Sequence, residues 1–162
     1  MEDGKAISTR MLESAFERQA RKIEVFDAAE MAVELPGPTG ESNRYFVVPR
    51  KRVLCLGPGA AQAQSQAERA RALGCNAIAA APGCQTGLDG SVAPEILTDL
   101  DEIDAVVCWS DAGEELRKGL AARQGAIVPL LQEQDFEQWL VFERHACIDT
   151  TAAGGNVALL GG

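Results

Sequence analysis

Histidine is almost missing from this chain, with His145 the only one. A hydrolytic relay needs an imidazole beside an exposed nucleophile on a sharp turn, and no Gly-x-Ser-x-Gly turn occurs either, so triad chemistry is excluded. Aromatic residues make up only 5% of the 162 residues, whereas Ala and Gly are plentiful. That balance suits helices packed closely on a parallel sheet better than an aromatic-rich sandwich. Positive charge is also short: 15 basic against 24 acidic side chains leave a formal net charge of −9. Attraction to phosphate backbones or anionic headgroups cannot then drive binding, so nucleic acid and membrane surfaces are not expected partners. No run of 18 apolar residues occurs, and Met1-Glu2-Asp3-Gly4-Lys5 lacks the charged-then-apolar order of a secretory leader, so a cytoplasmic location is expected.

Cysteine is present but not paired by spacing. Cys55, Cys75, Cys84, Cys108 and Cys147 are odd in number and form no Cys-x-x-Cys. Zinc-ligand spacing is missing, so no metal site is expected, and burial as free thiols is the reading. Neither Cys108 nor Cys147 has a Gly-rich flank or basic neighbour to stabilise a thiolate, and no catalytic residue is assigned.

What is there alternates between two periodicities. From Thr9 to Ala32, Leu12, Phe16, Ile23 and Phe26 recur at amphipathic-helix spacing, with Ser8 or Thr9 as its cap. Residues 35–43 hold two prolines and two glycines and read as a linker, followed by a short strand Tyr45-Phe46-Val47-Val48. The basic run Arg50-Lys51-Arg52 reads as a solvated patch. Strand 53–56, helix 62–73 and strand 76–81 then form a βαβ unit. Strand 105–109, a helix over 112–123 with Asp111 and Glu114 spaced as a capping box, and strand 126–131 continue the pattern. Residues 83–91 read as loop, and 139–148 as extended chain with Phe142 and Cys147 available for burial. The expected fold is α/β: a Rossmann-like, mostly parallel sheet with flanking helices, an N-terminal helix and a short extended C-terminal tail. The expected organisation is a helical segment 1–34, a linker and strand 35–50, the Rossmann-like domain 51–148 and a docking motif 149–162.

Gly57-Pro58-Gly59 follows the first strand of the βαβ unit, where a dinucleotide fingerprint would lie. The third fingerprint glycine is replaced by Gln62, and the next strand ends Ala81-Pro82-Gly83 with no acid for the ribose hydroxyls, so no cofactor is assigned to the segment. The remaining unusual stretch is the end of the chain, Asp149, Thr150, Thr151, Ala152, Ala153, Gly154, Gly155, Asn156, Val157, Ala158, Leu159 and Leu160. Burying Val157, Leu159 and Leu160 would contribute roughly 1.5 to 3 kcal/mol each. Residue physics leaves two destinations open, its own domain or an interface with another domain or subunit.

Three blocks carry a resemblance to a known family: Leu35-Pro36-Gly37-Pro38-Thr39-Gly40-Glu41-Ser42-Asn43, Pro49-Arg50-Lys51-Arg52-Val53-Leu54-Cys55-Leu56, and Asp149-Thr150-Thr151-Ala152-Ala153-Gly154-Gly155-Asn156. In order and spacing they resemble the C-terminal region of proline utilization A, over about residues 35–162. Proline utilization A pairs an FAD-dependent proline dehydrogenase with an NAD-dependent aldehyde dehydrogenase that yields glutamate. The resemblance implies a non-catalytic domain that folds like an aldehyde dehydrogenase Rossmann domain without binding NAD. It also implies that Asp149 to Leu160 dock on the aldehyde dehydrogenase module of the same polypeptide and seal the channelling cavity, and that FAD and NAD belong to the parent. Rival readings are an autonomous nucleotide-binding or oxidoreductase domain and a homo-oligomerisation module.

Overall fold

A computed structural model describes residues 5–23 and 32–149. It divides into two compact units, Met1–Val25 with Pro49–Val141, and Phe26–Val48 with Phe142–Gly162.

The first unit is an α/β layer structure on a five-stranded parallel sheet. Its strands are β3 (Arg52–Gly57), β4 (Asn76–Ala81), β5 (Leu88–Asp89), β6 (Ala105–Cys108) and β7 (Leu130–Leu131), in the order β5-β4-β3-β6-β7. Every pairing between these strands is parallel, with Val53 opposite Ala77 on one side and Ala105 on the other. Strand residues alternate between two buried layers. Leu54, Ile78, Ala80 and Val106 face a layer holding Ile7, Leu12 and Phe16 of the N-terminal segment with Leu97, Leu100, Leu116 and Leu120. Val53, Cys55, Ala77, Ala79 and Val107 face the other, with Ala63, Ala67, Ala70, Phe136 and Leu140. Alanine on both sides of that second layer lets α2 (Ala60–Ala72) approach β3 and β4 closely, which explains how so few aromatics still fill a core.

Helix α1 (Thr9–Ala20) starts where expected, with the Ser8 hydroxyl accepting from the Met11 N–H at 3.4 Å. It ends at Ala20 with Arg21 as C-cap, twelve residues before the expected end, and residues 24–31 lie outside the described residues. Helix α3 (Pro94–Asp99) was not expected, because six residues are too few for periodicity to register; Pro94 sits in its first turn. Helix α4 (Gly113–Ala121) has Ala112 at its N-cap with no side-chain cap, so the expected Asp111–Glu114 capping box does not form. Glu114 instead pairs with Lys118 one turn on at 3.2 Å. The expected strand 126–131 shrinks to β7, since Ala126 to Pro129 run as irregular chain before it.

The basic run is not a solvated patch. Arg50 donates from Nε to the Trp139 carbonyl at 2.6 Å and from Nη1 to the Asp104 carbonyl at 3.1 Å. The Asp104 carboxylate accepts the Lys51 and Arg52 N–H groups at 2.6 and 3.2 Å. Arg52 reaches Glu13 of α1 at 2.6 Å and lies 5.4 Å from the Phe16 ring centroid. The run therefore bolts α1 and the β6 entry to the start of β3, and only Lys51 is exposed.

The described part of the second unit is a three-stranded sheet in the order β1-β2-β8, from β1 (Val33–Leu35), β2 (Glu41–Pro49) and β8 (Val141–Asp149). β1 and β2 pair antiparallel with Val33 opposite Tyr45 and Leu35 opposite Asn43. The expected linker is thus a hairpin: only residues 36–40 turn, and the strand expected at Tyr45 begins at Glu41.

Candidate docking surface

The most testable candidate from sequence, the glycine turn after β3, is occupied by the protein's own groups. The Gly57 N–H donates to the side-chain oxygen of Gln66 at 2.9 Å, and its carbonyl accepts from the Trp109 N–H at 3.3 Å and the Cys108 thiol at 3.4 Å. Gly57 sits at φ +64°, and a Cβ there would collide with Gly59 and the Ala63 nitrogen, so glycine is required by the turn itself. At the end of β4, the Gly83 N–H is held by the Asp89 carboxylate at 2.7 Å, an acid that sequence order alone does not place beside that strand end.

Beyond β6 the chain is fastened by an aromatic and cationic cluster. Trp109 and Phe136 meet edge to face at 5.9 Å, Arg69 of α2 lies 4.6 Å from the Phe136 centroid, and the Trp109 indole N–H donates to the Glu133 carbonyl at 2.9 Å. Arg69 grips Glu137 through Nε and Nη2, the latter at 2.6 Å, and this bond holds the Glu137 carboxyl below its ordinary range. These groups use their chemistry on each other, which marks the cluster as a brace for the 3₁₀ turn Phe136–Trp139.

Four thiols are buried as expected, at Cys55, Cys75, Cys84 and Cys108. Burial pushes Cys75 up to about 11 and raises Cys55 further still, so both stay protonated near neutral pH. Cys147, expected to be available for burial, is exposed on β8, as is His145. Strand β8 is paired on β2, and all its residues except the half-buried Val141 and Ala146 are exposed, so side chains alternating to both faces meet solvent.

That exposure is where the sheet of the second unit becomes informative. Val33, Leu35, Val47, Phe142 and Ile148 are five of the eight large apolar side chains exposed among the described residues, and all lie on β1, β2 or β8. Register puts Val33, Leu35 and Tyr45 on one face, with Val47 joining them by alternation. Glu34 lies on the other face, bonded to Ser42 at 2.9 Å and Arg44 at 3.3 Å. The Tyr45 phenol is raised chiefly by its hydrogen bond to Glu143 of β8. The apolar face carrying Val33, Leu35 and Val47 is the candidate surface for another body to cover. Of the docking residues expected from sequence, Asp149 is the last residue of β8; Thr150, Thr151, Ala152, Ala153, Gly154, Gly155, Asn156, Val157, Leu159 and Leu160 lie outside the described residues. Sequence reasoning missed Val33 and Leu35. The apolar-polar-apolar step Val33-Glu34-Leu35 before a Pro/Gly turn and the Tyr45 to Val48 strand was the available hairpin signal.

Comparison with known proteins gives these observations a family. No protein-family model matches the chain. Bifunctional protein PutA of Salmonella typhimurium is 33% identical over 144 residues, spanning 78% of this chain and 11% of that protein. The Escherichia coli protein of the same name is 32% identical over 143 residues with the same coverage, and that of Rhizobium meliloti 32% identical over 164 residues, covering 87% and 13%. Among solved structures, a Bradyrhizobium japonicum proline utilization A variant aligns with TM-score 0.48 at 22% identity, covering 75% of this chain and 15% of that one. An aldehyde dehydrogenase from Brucella melitensis biovar abortus aligns at 0.42 and 14%, covering 80% and 33%. The resemblance read from the three sequence blocks is borne out: the chain belongs to the proline utilization A family and spans about a tenth of the length of the curated relatives it matches.

Proposed function

We propose that this chain serves as a non-catalytic C-terminal domain of a bifunctional proline-catabolising enzyme, cytoplasmic, that converts proline to glutamate with FAD and NAD bound in other modules. Its work is to dock on the aldehyde dehydrogenase module of the same polypeptide through residues 149–162, with Asp149 to Asn156, Val157, Leu159 and Leu160 as the contact, and to seal the cavity through which the intermediate passes. The observation that carries this reading is the open apolar sheet β1-β2-β8, whose last strand delivers Asp149. Docking of this kind supports catalysis by fixing a neighbouring site's geometry and excluding water, with no reactive group of its own.

The test is proline-dependent NADH production by the full-length parent against a version ending at Asp149, with lag and steady rate both recorded. Sealing predicts a longer lag or lower coupled rate with proline oxidation intact. Unchanged coupled kinetics would reduce the tail to a stabiliser of its own domain.

A further inference from the structure

We draw no further inference here: the strongest candidate, the apolar face of the β1-β2-β8 sheet that carries Val33, Leu35 and Val47, belongs to the docking surface already described, and nothing in the structure shows what covers it.

Discussion

At the scale of single residues, the fold's tightest demands fall on small side chains. Gly119 lies inside α4, where glycine is unfavourable by about 1 kcal/mol against alanine. Propensity alone therefore makes Gly119→Ala stabilising. In the structure a Cβ at this position would land on the Pro94 carbonyl at the start of α3, well inside van der Waals contact, and backbone cannot swing away as a flexible side chain would. The Thr98 hydroxyl also donates to the Gly119 carbonyl at 3.2 Å, fixing the same crossing. Overpacking a buried contact costs about 1 to 3 kcal/mol, which outweighs the propensity gain. Gly119→Ala is expected to destabilise the domain by up to about 2 kcal/mol in urea unfolding; a gain in stability would mean that α3 and α4 can part freely. Sequence reading could not see this glycine's role, because its partner Pro94 belongs to a helix too short to announce itself. It did see the burial of four thiols and the continuous apolar run Val53 to Leu56, because those depend only on neighbours along the chain.

At the scale of elements, the parallel strands and their helices were legible because each is a continuous apolar run or a clean helical period, and β4 falls on the expected residues 76–81. The edge elements were not. β7 has two residues and β1 three, lengths at which pairing rather than periodicity defines a strand. The pairing of β2 with β8 joins segments about a hundred residues apart, and it can be tested through Tyr45, the one tyrosine of the chain. Its phenol is raised by hydrogen bonding to Glu143 on β8, a bond that exists only while the phenol keeps its proton. The folded-state value lies above the unfolded one, so this contribution is fully present below the unfolded pKa of about 10 and disappears as pH rises through the folded one. Phenolate absorbance should therefore titrate later in the native chain than in denaturant. Glu143→Gln should move the native midpoint back toward the denatured one. A midpoint unmoved by Glu143→Gln would mean that the two strands do not hold this register in solution.

At the scale of the whole molecule, an apolar sheet open to solvent coexists with a formal net charge of −9. Like charge keeps copies apart while exposed apolar strands favour association, and pH decides between them. The sequence isoelectric point near 4.6 is where repulsion vanishes. The isolated chain should sediment as a monomer at neutral pH and low salt, and self-associate as pH falls toward that point. If the sheet β1-β2-β8 drives the association, Val33→Thr with Ile148→Thr should suppress it. Both positions are more than half exposed, so the folded domain should lose no more than about 0.5 kcal/mol. Association that survives the double substitution but yields to Ile127→Ser would place the sticky surface around the exposed Ile127 of the first unit. Association that yields to neither would assign it to charge loss alone, and would leave the open sheet without a demonstrated appetite for a partner.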